Sequence, residues 1–201
     1  VVMLNKDQIS KVERIHKDLG SLLEKHYTEK SGRHLQDSSH IQPGRHVTDV
    51  NVSWIDQTTF GELVQSLSTP SHSYTYNLNP PGLPALLDFA LPVRDYILKL
   101  NGVTKAEGLV TDEERAVMTQ YTRQTLADLE KAWSPVDKLN VTDATIEQDP
   151  ANLTIAQRGD SVVLIAYECH MQHANGHIRI VYPTKTLEPL LDKLDAWSPE
   201  A

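Results

Sequence analysis

The sequence predicts an α/β (α+β) domain, a largely antiparallel sheet with long helices packed on it. Three observations carry this. Residues 6–29 place Ile9, Val12, Ile15, Leu19, Leu22, Leu23 and Tyr27 at intervals of three and four, one face of a helix. A second long helix is bracketed by Thr111 with Glu114 at its start and by Ser134-Pro135 at its end. The order helix, strand, hairpin, proline, helix then occurs twice, through "SHSYTYNLNPPGLPALLDFALP" and "SVVLIAYECHMQHANGHIRIVYP". The expected organisation is one domain over residues 1–201, with an internal repeat of approximately 6–100 and 111–196.

In chain order, the first helix gives way to a polar stretch, 31–46, rich in Ser, His, Gly and Gln, expected to be irregular or a poorly formed strand. Residues 47–55 are strand-like through their valines and Trp54, and 58–67 form a short helix closed by Pro70. "HSYTYNL" alternates with Tyr74, Tyr76 and Leu78 on one face, "NPPG" turns the chain, and 83–91 return as a mostly apolar strand. Pro92 opens a helix, a position where a missing N–H costs nothing. After the loop that follows, the second long helix runs to Trp133, and 136–147 alternate as a strand. "DPANLT" connects to two strands around Asn175-Gly176, a strong hairpin signal, and Pro183 opens a last helix, "TKTLEPLLDKL". The two long helices end on nearly the same phrase, Leu23-Glu24-Lys25-His26-Tyr27 and Leu129-Glu130-Lys131-Ala132-Trp133, with Tyr27 and Trp133 as the expected structural anchors.

A net charge of −8 over 201 residues disfavours nucleic acid and anionic membrane as partners, and there is no basic run to offset it. No stretch approaches the ~20 apolar residues of a membrane-spanning helix. "VVMLNKDQIS" lacks the pattern of a signal peptide, and Val1 in place of an initiator methionine suggests a piece of a longer protein. The single cysteine, Cys169, excludes an internal disulfide and fits a reducing compartment.

The chemistry-bearing cluster is "ECHMQHANGH", with Glu168, Cys169, His170, His173 and His177, a composition able to bind zinc. A two-residue turn at Asn175-Gly176 sets Ala174 opposite His177, Gln172 opposite Arg179 and His170 opposite Val181. His170 and His177 then share a face roughly 13 Å apart at strand rise. Cys169 and His173 face the apolar side with Met171, Ile178 and Ile180, so no metal site is expected. Gly-x-Ser-x-Gly elbows and glycine-rich phosphate loops are both missing from the sequence. The carboxylates of "TDEER" fit a helix N-terminus, and Trp54, Trp133 and Trp197 fit core or element-end anchors. The expectation is therefore no catalytic residues and no cofactor.

"FGELVQSLSTPSHSY", "LADLEKAWSPV", "DPANLTIA" and "YPTKTLEPLLDKL", in this order and spacing over about residues 7–195, resemble the flagellar motor switch protein FliM family. The resemblance implies a FliM middle domain with the CheC-like fold, a pseudo-twofold α/β unit. It also implies a structural role in the cytoplasmic ring (C-ring) of the motor, at the cytoplasmic face of the inner membrane. The implied partners are FliG, neighbouring FliM copies and phosphorylated CheY, the last through a segment outside this chain. Family members usually carry a Gly-Gly-x-Gly loop that contacts FliG. Here that place is shorter and reads Leu100-Asn101-Gly102-Val103, where Gly102 alone matches, so Asn101 and Gly102 are the candidate FliG-binding residues. An acidic CheY-capturing peptide and a C-terminal ring-forming domain, both implied for the whole protein, are not recognisable in this chain. The alternatives are a CheC/CheX-type CheY phosphatase or a divergent non-catalytic paralogue. The phosphatases use Glu-x-x-Asn on the long helices, and here only Glu13-x-x-His16 imitates it, more readily a surface helix pair.

Overall fold

The computed structural model describes residues 3–35, 47–103, 110–171 and 174–199. Helix α1 (Lys6–Leu35) leads to strand β1 (Val47–Thr59) and helix α2 (Phe60–Ser66), followed by the hairpin β2 (Ser73–Asn79) and β3 (Leu83–Phe89) and helix α3 (Leu91–Leu100). Then come α4 (Asp112–Trp133), β4 (Asn140–Glu147), a 3₁₀ turn at Pro150–Asn152, and the hairpin β5 (Ser161–Met171) and β6 (Ala174–Pro183). A broken last helix follows: α5 (Thr184–Leu187), a 3₁₀ turn at Glu188–Leu190, and α6 (Leu191–Ala196).

Among the described residues all strand pairings are antiparallel, in one six-stranded sheet ordered β1-β5-β6-β3-β2-β4. Matching β1 with β4, β2 with β5 and β3 with β6, the order reads the same from either margin. One sheet face presents Tyr74, Tyr76, Leu78, Leu87, Phe89, Ile165, Tyr167, Ile178, Ile180 and Tyr182 to the main core, where Val12, Ile15, Leu19 and Leu23 of α1 and Met118, Leu129 and Trp133 of α4 pack. The other face holds a smaller core in which Phe60, Leu63 and Leu67 meet Leu86, Leu153, Ile155, Val162, Leu164 and Val181. The first half of β5 is thus buried on both faces, which is why "VVLIA" is continuously apolar instead of alternating.

Five local expectations are corrected. Residues 31–35 continue α1 where a strand or irregular segment was expected, so the phrase Leu23–Tyr27 lies within α1 and does not end it, and 36–46 lie outside the described residues. Strand β1 runs on to Thr59, whose hydroxyl accepts the Glu62 N–H and starts α2 at Phe60. Residues 136 and 137 are held in a turn by N–H bonds to the Trp133 carbonyl, so β4 begins at Asn140. The last helix breaks because Pro189 cannot donate an N–H.

The fifth concerns the second hairpin. Met171 pairs with Ala174 and Cys169 with Gly176, so the connection falls at 172–173, outside the described residues, and Asn175-Gly176 lies within β6. Gly176 is glycine for a different reason. A Cβ there would stand 2.7 Å from Val93 Cγ2, because the start of α3 is packed against the strand.

Candidate functional site

The turn after α3 is built from the residues singled out for partner binding. Asn101 caps the helix, Gly102 N–H donates to the Lys99 carbonyl, and Val103 N–H reaches back to the Leu98 carbonyl at 2.9 Å. This is a Schellman ending, with buried Val103 and Leu98 supplying its apolar contact. Gly102 sits at φ 72°, a left-handed conformation that glycine adopts without a Cβ clash. A Cβ at Gly102 would meet nothing within 4 Å, so its backbone faces open space. The Asn101 side chain is already committed: its Nδ2 donates to the Ile97 carbonyl at 2.7 Å and to Tyr121 Oη on α4 at 3.3 Å. Asn101 therefore fixes the turn against α4, and Gly102 is its accessible tip. Asn-Gly after an apolar-periodic segment is itself a helix-end signal, and that part was legible.

Both aromatic residues of the repeated phrase are buried, Tyr27 at 1% and Trp133 at 0% exposure. The Thr125 hydroxyl donates to the Tyr121 carbonyl, so the Tyr27 hydroxyl donates to Thr125 Oγ1 and joins α1 to α4. Beside it, His26 Nδ1 lies 2.8 Å from the buried Asp128 carboxylate, which also accepts from Gln124. Trp133 Nε1–H donates to Tyr182 Oη at 3.1 Å, and Tyr182 Oη lies 2.7 Å from His16 Nε2. His16 Nδ1 is 2.7 Å from the Val12 carbonyl, which can only accept, so Nδ1 carries the proton and Nε2 accepts from Tyr182. A neutral imidazole satisfies this chain. Burial supports it by lowering the His16 pKa to about 4, against a weaker opposing pull from the Val12 carbonyl. His16 is fully buried, which corrects the expectation of a surface Glu13-x-x-His16 pair; Glu13 turns outward to Lys17 at 2.9 Å. His16 and Tyr182 were missed as core polar groups because an isolated His on a helix and a Tyr in an apolar strand carry no sequence sign of their partner.

Two further buried groups titrate. His72 Nε2 lies 2.8 Å from Tyr74 Oη, and burial, helped by the charges of Arg94 and Arg115, lowers its pKa to about 3. Asp88 accepts from Ser73 Oγ at 2.9 Å, and burial raises its pKa to about 6 despite that bond.

The histidine-rich hairpin is arranged differently from its expected register. His170 pairs with Asn175 and Glu168 with His177, so His170 and His177 are diagonal neighbours, two rungs apart instead of four. His170 lies 3.5 Å from Glu168, while the His177 ring meets Trp54 edge to face at 5.3 Å. Cys169 faces the core, where burial pushes its thiol up to about 12. His173 lies outside the described residues. Among the described residues no three His, Cys, Asp or Glu side chains converge as a metal site. Trp54, expected as an anchor, is 42% exposed on β1, and Trp197 packs at the margin of the main core.

This domain, with its polar chemistry locked in the core and its exposed features on turns and faces, shares its fold with solved middle domains of FliM. A chain in the crystal structure of the FliM–SpeE complex from H. pylori superposes with a TM-score of 0.83 at 22% identity, covering 97% of this chain and 98% of that one. A chain in the FliG–FliM complex from H. pylori gives 0.79 at 21% identity, covering 94% and 100%. The sequence model of the family described as flagellar motor switch protein FliM matches residues 5–197, and the chain belongs to that family. The FliM of Treponema pallidum is 28% identical over 157 residues, 76% of this chain and 46% of the relative. That of Pseudomonas aeruginosa is 29% identical over 158 residues, 76% and 49%. The chain thus spans about half the length of the curated relatives it matches.

Proposed function

We propose that this chain is a structural module of the flagellar motor switch, a component of the C-ring that binds FliG and neighbouring FliM copies and passes the chemotaxis signal to rotation direction. The observation that carries the reading is the family match over residues 5–197, joined to the fold shared with a chain of the H. pylori FliG–FliM complex. In this reading the module works at the cytoplasmic face of the inner membrane, and phosphorylated CheY acts through a segment outside this chain. The tip at Gly102, with the backbone on either side of it, is the proposed FliG contact, and Asn101 holds it in place. The module is a single domain whose segments 6–100 and 111–196 descend from one duplicated unit, supported by a strand order that reads alike from both margins. Its role is non-enzymatic. The one imitation of the CheC/CheX-type motif, Glu13 with His16, has its second member inside the core.

Titration with FliG from the same cell tests the reading: saturable binding supports it, and no binding by the folded chain refutes it. Phosphorylated CheY is the counter-test. Its hydrolysis rate is expected to stay unchanged at stoichiometric protein, and a clear acceleration would favour the phosphatase alternative.

A further inference from the structure

The two margins of the sheet carry the same device. Glu24 Oε1 on α1 accepts the N–H of Val50 at 3.0 Å, and Glu130 Oε1 on α4 accepts the N–H of Val141 at 2.7 Å. Val50 lies in β1 and Val141 in β4, the two edge strands. Strand N–H groups point alternately to either side, so an N–H given to a helix carboxylate belongs to the outward set that a further strand would use. A carboxylate acceptor makes a stronger bond than a strand carbonyl would.

Two independent features coincide with these carboxylates. Register shifts occur in the β1–β5 and β2–β4 pairings, while β2–β3, β3–β6 and β5–β6 pair without one. In β4 the shift contains Asp143 at φ 61°, the one non-glycine residue with positive φ among those described. Further along β1, the Gln57 side chain exchanges two hydrogen bonds with the backbone of Leu4, tying the segment before α1 to this strand. Irregular pairing and charge at an edge are the physical means by which a sheet refuses another strand.

We propose that Glu24 and Glu130 are edge caps. Each occupies the outward hydrogen-bonding site of its edge strand, closing both margins to strand addition, so that copies of this chain meet through helix and sheet faces and not by continuing the sheet. The caps lie in the repeated phrase Leu-Glu-Lys, where the glutamate is the residue that touches the strand.

Residue-resolved amide exchange on the folded chain tests this. In Glu24→Ala the Val50 amide should exchange about tenfold faster or more, and in Glu130→Ala the Val141 amide likewise, while amides of the central strand β6 keep their rates. Glu24→Gln and Glu130→Gln retain an oxygen acceptor and should restore most of the protection. The double alanine variant should self-associate with rising concentration in light scattering, and the double glutamine variant should not. Should an alanine variant unfold, Glu→Asp decides: its carboxylate is one methylene short, and the capped amide should exchange faster than in Glu→Gln. Unchanged Val50 and Val141 exchange in folded alanine or aspartate variants would overturn the proposal, as would equal association of the alanine and glutamine double variants.

Discussion

Replacing His16 by Gln should remove about 3 kcal/mol of pH-dependent stability between pH 4 and pH 7. In the folded chain burial holds this imidazole neutral down to about 4, whereas the unfolded chain titrates at the ordinary value of 6.5. Between those two values the unfolded chain binds one proton more, so stability rises with pH. The contribution is fully present above 6.5 and is lost as pH falls toward 4. Each pH unit of that window is worth about 1.4 kcal/mol, which gives about 3 kcal/mol in all. His72 acts in the same direction down to about 3, and Asp88 acts in the opposite one. Asp88 keeps its proton up to about 6, so it contributes stability below 3.8 that is lost as pH rises through 6. Between pH 4 and 6 the two histidines outweigh Asp88 by one proton, and His16→Gln cancels that excess. The assay is urea unfolding of both proteins at half-unit steps from pH 4 to 7. The substitution also disturbs packing, which shifts the variant's curve vertically but leaves its slope alone. The stability difference between wild type and variant should therefore grow by about 3 kcal/mol across the range. A difference constant within about 0.5 kcal/mol would refute the neutral, buried His16.

Trp133→Ala should cost ~3–5 kcal/mol in chemical denaturation, because a fully buried indole is removed and Tyr182 loses its N–H donor; an unchanged midpoint would contradict that burial. Gly102→Ala should lower stability by about 1–2 kcal/mol through the left-handed backbone alone, and thermal melting equal to wild type would show that the turn does not hold φ 72°. Gly176→Ala should cost about 1–3 kcal/mol, since its Cβ would lie 2.7 Å from Val93 Cγ2, and a neutral effect on unfolding would mean that α3 is free to move away.

What could be read from the sequence and what could not divide along one physical line. Features set by neighbours in the chain were legible. The period of α1, the Thr111 cap of α4, the alternation of Tyr74, Tyr76 and Leu78, and the proline at the start of α3 all appear as expected. Features set by neighbours across space were not. Asn175-Gly176 looks like a turn, but Gly176 is small because Val93 and Pro92 press on it. Trp54 looks like core, yet the second face of the sheet is covered by α2 only toward the Val162 and Leu164 end. His16 looks like one half of a surface pair, and only the approach of Tyr182 and Trp133 makes it a core acceptor. At the candidate site, Gly102 was legible as the residue matching the family's glycine loop, whereas the bond that commits Asn101 to Tyr121 depends on α4 crossing nearby.

The recurrence of Leu-Glu-Lys-x-aromatic, inside α1 and in the last turn of α4, follows from what one helical turn must do beside the edge of the sheet. Leucine and the aromatic residue, four positions apart, lie on the same face, and Leu23, Tyr27, Leu129 and Trp133 are all buried. Glutamate, one position on from leucine, flanks that face and reaches the edge strand, as Glu24 does to Val50 and Glu130 to Val141. Lysine, two positions on, points away, and both Lys25 and Lys131 are exposed. The shared letters therefore encode a shared frame of burial, edge contact and solvent. The aromatic tips differ because their partners differ. Tyr27 needs an O–H to donate across the helix seam to Thr125, while Trp133 needs an N–H that reaches Tyr182 on the sheet. A phenol at 133 would also bring an acceptor that the Trp133–Tyr182–His16 chain, already closed by donors and acceptors in order, does not need. The frame is common to both ends of the molecule, and the polar tip of each aromatic residue is what keeps the two ends from being interchangeable.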